Sequence, residues 1–271
     1  MKNVLLASTA LVLTAGIASA DIAVTGEANM GLKYNGTTTT VHNEIDFNIV
    51  GTGETDGGVA FGASVDLDAS SDNSANNAAG ATSDIADPEV FVSYNGLKLT
   101  VGDIGEANDR GGVADLGYDG IGVDNVAEIN AYGSHDVRVD YAFGDIAVAA
   151  SVDSSNNDWA IGASASFDAF SVDLGYGETA GAEQVNLTLG YSAGAFGAKV
   201  FYADNATADS LGLEGSYTTG DVTVTAVYAE SGASEGYGIG VAYDLGGATL
   251  AGGIGEVNNT TVADLGISFS F

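Results

Sequence analysis

The last ten residues, Val262 to Phe271, restrict what this chain can fold into more than any other stretch. Read with a period of two, Ala263, Leu265, Ile267, Phe269 and Phe271 fall on one face, and Asp264, Gly266, Ser268 and Ser270 on the other. A strand with one apolar and one polar face, ending on an aromatic residue, has two homes. In a sandwich the apolar face packs on a second sheet and the chain end frays. In a membrane-spanning barrel the apolar face meets lipid, the polar face meets water inside, and the final aromatic joins the interfacial girdle.

The amino end bears on the choice. Lys2 is followed by a run from Val4 to Ile17 that is apolar apart from Ser8, Thr9 and Thr14, and then by Ala18-Ser19-Ala20. A short positive start, a short apolar stretch and an A-x-A site make a secretory signal peptide over residues 1–20, with a membrane anchor the weaker reading. Cleavage there leaves 251 of the 271 residues, with five basic against 37 acidic side chains, a formal charge of five minus 37, or −32. That excludes nucleic acid as a natural partner, because phosphate binding needs clustered Lys and Arg. Disorder does not follow, since 45% of the residues are hydrophobic and 8% aromatic. The lack of cysteine removes disulfide scaffolds and thiolate sites. Forty glycines and one proline suit many strands joined by tight turns, and no apolar run after the signal is long enough for a transmembrane helix.

Alternation continues through residues 21–271 without a linker, so the chain is one all-β domain. Ile22 to Tyr34 sets Ile22, Val24, Ala28, Met30 and Leu32 against Thr25, Glu27, Asn29 and Lys33; Val41 to Val50 sets Ile45, Phe47 and Ile49 against His42, Glu44, Asp46 and Asn48. Val59 to Leu67 follows, and then a polar low-complexity stretch, Ser70 to Asp87, is expected to be a loop. Asn95-Gly96 joins the next two strands with a strong hairpin signal. Gly105 to Ser134 alternates poorly and is the longest connection; beyond it the rhythm is regular to the end. About sixteen strands result, an even number, as bacterial barrels have. Connections after even-numbered strands are tight, and the two longest follow odd-numbered ones, as in a barrel with short periplasmic turns and long outer loops.

Two features separate lipid from a sandwich core. Tyr34, Tyr94, Tyr141, Tyr176, Tyr191, Tyr228, Tyr243 and Phe271 cluster near strand ends, where girdles lie. Lys33, Lys98, Arg138 and Lys199 all fall on the polar face, although for Lys199 this also turns Phe201 inward. A basic side chain facing lipid at mid-membrane costs about 2–4 kcal/mol.

Val24-Thr25-Gly26-Glu27-Ala28-Asn29-Met30-Gly31, Ser93-Tyr94-Asn95-Gly96, Ala147-Val148-Ala149-Ala150-Ser151, Tyr243-Asp244-Leu245-Gly246-Gly247 and Thr261-Val262-Ala263-Asp264-Leu265-Gly266, with the closing Phe271, resemble the general porins of the alphaproteobacterial (Rhodobacter) type. The resemblance covers everything after the signal. It implies a closed sixteen-stranded antiparallel barrel in the bacterial outer membrane, a homotrimer, and passive diffusion of small hydrophilic solutes and ions. It implies that the terminal Phe271 serves the insertion machinery, that Ser70 to Asp87 latches over a neighbouring subunit, and that Gly105 to Ser134, after the fifth strand, folds inward and narrows the pore. It implies no cofactor beyond the structural Ca²⁺ that porins of this type can bind in that loop, for which Asp109, Asp115 and Asp119 are the candidate ligands. Relatives carry inward arginines where this chain has Asn29, Glu44 and Asp46, so part of the positive wall is neutralised or reversed here.

The expected constriction is therefore Asp103, Glu106, Asp109, Arg110, Asp115, Asp119, Asp124 and Glu128, facing a wall with Lys33, Glu44, Asp46, Lys98 and Arg138. Acid is so common in this chain that charge alone also fits an ordinary solvated loop; length and position favour the pore. Acid outnumbers base in the lumen, which points to cation selectivity. Enzyme signals are lacking: His42 and His135 stand beside Glu44 and Asp136 without a serine elbow or metal-ligand pattern, and read as solvated strand-end residues. Gly236 to Gly240 lies in a strand pattern, not before a helix, so it is no phosphate loop. A diffusion channel is the leading function; a structural or surface-interaction barrel without a large pore is the alternative, and a solute-specific channel a weaker third.

Overall fold

A computed structural model describes residues 21–73, 81–128, 134–204 and 208–271; the signal segment, 1–20, lies outside the described residues. The strands are β1 (Asp21–Tyr34), β2 (Thr39–Glu54), β3 (Ala60–Asn73), β4 (Ala81–Tyr94), β5 (Leu97–Gly105), β6 (Ser134–Phe143), β7 (Ile146–Val152), β8 (Trp159–Phe167), β9 (Phe170–Thr179), β10 (Ala182–Ala193), β11 (Phe196–Asp204), β12 (Asp209–Thr219), β13 (Val222–Ser231), β14 (Ser234–Asp244), β15 (Ala248–Val257) and β16 (Thr260–Ser270). Each pairs antiparallel with its neighbours in sequence, and β1 pairs with β16, closing a barrel of sixteen strands. Closure removes the sheet edge, whose free N–H and C=O groups lipid cannot satisfy.

The seam is held by the terminal residue. Gly26 and Phe271 exchange both backbone hydrogen bonds at 2.8 Å. The Phe271 ring occupies the space a side chain at Gly26 would need, 2.6 Å from an ideal Cβ, and meets Phe47 edge-on at 5.6 Å. The start of β1 and the end of β16 lie at the end of the barrel where the turns are tight. There Asn95 and Gly96 take φ of +49° and +83°, as a type I′ turn requires, and Gly144, Gly194 and Gly220 open two-residue turns at φ of 60°, 60° and 59°.

The apolar faces point out. Val90, Met30 and Leu265 are 60%, 55% and 57% exposed, a continuous apolar surface that only lipid makes reasonable. The sandwich is thereby excluded. No helix among the described residues is long and apolar enough to cross a membrane; this says nothing of strands, which here do the crossing. Aromatic residues ring the short-turn end in pairs: Phe170 with Tyr191 at 5.1 Å, Phe196 with Tyr217 at 4.9 Å, and Tyr141 with Phe143 at 5.6 Å. At the other end Tyr176, Tyr202 and Tyr228 donate hydrogen bonds to Glu183, Asp209 and Glu230, apolar body down and polar tip up, as an interfacial residue needs.

One expected loop is largely strand. Between Ser70 and Asp87, β3 runs on to Asn73 and β4 starts at Ala81. The cause is β2: it is long, and its upper half from Val41 to Ile45 takes Asn73 to Ala69 as partners. A bland stretch pairs when the neighbour offers an open ladder, whatever its own alternation. The expected latch falls partly on residues 74–80, outside the described residues.

Candidate functional site

Residues 106–128, between β5 and β6, run across the inward faces of the barrel. At its start the backbone N–H of Ala107 donates to Ser151 Oγ on β7 (2.8 Å), and Asn108 meets Gln184 (3.2 Å) and Asn186 on β10. Farther on, Gly112 N–H donates to Thr188 Oγ1 at 3.0 Å and Ala114 N–H to Glu214 Oε2 at 2.8 Å. Asp264 on β16 then collects three backbone donors: Tyr118 at 3.0 Å, Asp119 at 3.1 Å and Gly253 at 2.8 Å. Gly117, at φ +104°, lets the chain press against that carboxylate; a Cβ there would lie 2.0 Å from it. The tip reaches the adjoining β1–β2 wall, where Asp119 Oδ2 meets Lys33 Nζ at 2.6 Å and His42 Nε2 at 3.0 Å. A single 3-10 turn, Asp124–Val126, follows.

The run is held by apolar contact as well. Leu116, Ile121, Val123 and Ala127 form a cluster with Phe201, Ala203, Val227 and Ala229 of β11 and β13. Each large apolar side chain so buried contributes about 1.5–3 kcal/mol, which offsets the entropy of ordering a long segment. Close approach is possible because the wall beneath is glycine: a Cβ on Gly175 would lie 2.2 Å from the Asn108 carbonyl, one on Gly238 2.9 Å from Leu116, and one on Gly266 2.5 Å from the Tyr118 ring.

The charges divide into two sets. Asp109, Asp115 and Glu128 are exposed on one side and crowded by protein on the others. Crowding by the surrounding protein raises all three carboxyls above the usual range; for Asp115, burial first and the neighbouring Asp124 second bring it to about 7. Burial, then Arg138, lowers Arg110 from its ordinary value. On the wall, cross-strand register lines up Glu27, Asp46 and Asp68 across β1, β2 and β3. Like charges placed directly opposite are destabilising, and no ion pair among the described residues relieves these three.

The family model of the Gram-negative porins matches residues 7–267. The chain belongs to the Gram-negative porin family. Solved structures of Rhodobacter blastica porin variants share its fold: a five-substitution variant is 26% identical, with a TM-score of 0.79, covering 92% of this chain and all of its own; a variant with two introduced tryptophans is 26% identical, with a TM-score of 0.77 over the same shares. No curated protein matches the chain. Family and fold together make this porin an outer-membrane β-barrel diffusion channel.

Several expected site residues of the porin move on inspection. Asp103 lies within β5, exposed, and is not part of the loop. Glu106 does not face the pore: it is 1% exposed and accepts from Thr179 Oγ1 at 2.9 Å and 3.0 Å. Asp119 spends its carboxylate on Lys33 and His42, and Asp124 is buried. Asp109, Asp115 and Asp119 do not converge as a ligand group among the described residues, so the calcium set expected from resemblance is not assembled. Both histidines are buried, not solvated: His135 Nδ1 lies 2.7 Å from Ser151 Oγ, beneath the start of the loop, and His42 lies under its tip. Alternation places a strand residue on a face, but it does not say that a distant loop will cover that face.

The cations Lys98, Arg138 and Lys199 each have a partner. Lys98 lies over the Phe91 ring at 4.7 Å, and Arg138 binds Asp140 at 3.0 Å and the Gly105 carbonyl at 3.2 Å. Lys199 and Phe201 do both turn inward, the lysine to Glu214 at 3.1 Å and the phenylalanine into the apolar cluster under the loop. What sequence reasoning missed is the docking track: Ser151, Gln184, Thr188 and Asp264, with the inward glycines. The signal was there, as glycine at every second position in 236–240.

Proposed function

We propose that this porin is a cation-selective channel for small hydrophilic solutes and ions, with the run from Gly105 to Ser134 as its constriction. One observation carries the reading: the row Glu27, Asp46 and Asp68 on the lumen side of β1–β3, continued by Glu44 on the same face of β2. The cations nearby are mostly committed to acid, Lys33 to Asp119 and Arg138 to Asp140. Fixed negative charge between low-dielectric walls concentrates cations, and within a screening length of about 8 Å at physiological salt it acts across a narrow lumen. In the same reading the chain is exported by a signal cleaved after Ala20 and assembles as a homotrimer through its early strands and its last, with Ala28 and Ala63 on the early strands allowing walls to approach. Chemical cross-linking in mild detergent should give trimers; monomer alone at every concentration would count against that part.

Reversal potential in a KCl gradient across planar bilayers tests selectivity. The expected sign is cation preference, strongest at low salt. Glu44→Arg with Asp46→Arg should move the potential toward the anion side, and anion preference in the unaltered porin would overturn the reading.

A further inference from the structure

Among the described residues, one group of side chains converges as the ligands of a metal do. His42 and Glu44 of β2 and Asp119 of the loop tip bring ligand atoms within 4.8 Å of one another. The spacing His42-x-Glu44 puts both side chains on one strand face, and the loop delivers the third. His42 Nε2 lies 3.0 Å from Asp119 Oδ2 and 4.0 Å from Glu44 Oε2. A tetrahedral ion bound at about 2.0–2.1 Å separates its donor atoms by roughly 3.4 Å, between those two values. His42 is 7% exposed, so its imidazole is held in place by packing and not free to swing away.

A fourth ligand stands beside these three. Asn29 Nδ2 donates to Glu44 Oε2 and to Asp119 Oδ1, both at 3.1 Å, while its Oδ1 is buried without a hydrogen-bond partner. With a cation between the carboxylates, a half-turn of the amide presents that oxygen to the same gap. The donor set is then one imidazole nitrogen, two carboxylates and one amide oxygen. It suits a borderline ion of the zinc class, whereas calcium takes six to eight oxygens and gains little from imidazole. Lys33 is the resident competitor, with its ammonium 2.6 Å from Asp119 Oδ2.

We propose that Asn29, His42, Glu44 and Asp119 form a binding site for a divalent transition-metal ion, which pins the loop tip to the β1–β2 wall. The inference does not depend on cation-selective conduction, because binding itself is the readout. Full-length mature porin, refolded in detergent and stripped with chelator, is titrated calorimetrically with zinc chloride. One zinc should bind per chain, and calcium in large excess should not displace it. His42→Ala should weaken binding by at least about tenfold, a loss that even outer-shell partners of a metal produce. Lys33→Met, which removes the competing ammonium, should tighten it. The heat-dependent shift of the folded barrel on gels checks that each variant is folded; should His42→Ala fail that check, Glu44→Gln, on the more open side of the cluster, takes its place with the same expectation. No zinc binding by the unaltered porin, displacement by calcium, or unchanged affinity in these ligand variants would overturn the proposal.

Discussion

The inner faces of β1–β3 and of β13–β16 belong to the same barrel yet have opposite chemistry. The first bears Glu27, Asn29, His42, Glu44, Asp46, Asn48, Asp66 and Asp68; the second bears Val227, Ala229, Gly238, Gly240, Ala251, Gly253 and Gly266. The second face lies under the loop, where Leu116 and Ile121 need small partners and a backbone they can approach. The first stays open to water apart from the loop tip. Under the loop an inward position of β13–β16 is small or apolar, except Asp264, which binds the loop backbone. The loop divides the lumen into a wall that serves packing and a wall that serves charge, and Asp264 and Lys33 stand at the junction, opposite each other across the β1–β16 seam.

The largest expected effect comes from abolishing the difference. Deleting Asp109 to Asp119 exposes the glycine-lined wall to water and should raise single-channel conductance by a wide margin. Unchanged conductance would place the loop off the conduction path. A smaller effect comes from adding bulk to one wall at a time. A Cβ at Gly253 would lie 3.1 Å from Gly117 N and from Leu116 C, so Gly253→Val should weaken loop docking by about 1–3 kcal/mol. Arg110 is the loop's one basic residue within 106–128, so trypsin cleavage after it, in an otherwise intact barrel, measures the undocking. Asp68 on β3 lies on the open inner wall, exposed and opposite Asp46, and Asp68→Leu should leave cleavage unchanged. Equal sensitivity at both sites would mean that the two walls do not differ in packing.

The barrel was legible in the sequence because lipid enforces alternation on every strand; the terminal strand, the tight turns after even-numbered strands and the bounds of the long loop could all be read from period and turn residues. The long β3–β4 hairpin was not, since its pairing is dictated by the length of β2 and not by its own Ser- and Ala-rich residues. In the site, Asp109, Asp115 and Glu128 stand out by charge and position, and they are exposed. Glu106 and His135 could not be told from them, because what removes them from the lumen is burial against Thr179 and Ser151. Those partners lie far along the chain and carry no pattern of their own. The inward glycines were visible as glycines, but their meaning depends on a loop lying over them.

The smallest predicted effect turns on one loop carboxyl. Asp115 is raised from 3.8 to about 7 by burial and then by Asp124, and burial also raises Asp109 and Glu128. A carboxyl raised in the folded state favours its protonated form there. Its ionisation therefore opposes loop docking progressively as pH climbs from the unfolded value of 3.8 through about 7, and the opposition is absent below that window. Two consequences compete across the window. The lumen gains negative charge, which strengthens cation preference, and the loop is held less firmly, which widens the gap and weakens it. Charge should win, because the apolar contacts of Leu116, Ile121 and Val123 do not titrate. Cation selectivity, read as reversal potential at low salt, should thus rise between about pH 5 and pH 8, and Asp115→Asn should flatten part of that rise. The change is small, since one carboxylate acts among many and is screened within about 8 Å at physiological salt. A pH curve in Asp115→Asn that overlays the unaltered porin would mean that this carboxyl does not face the ion path.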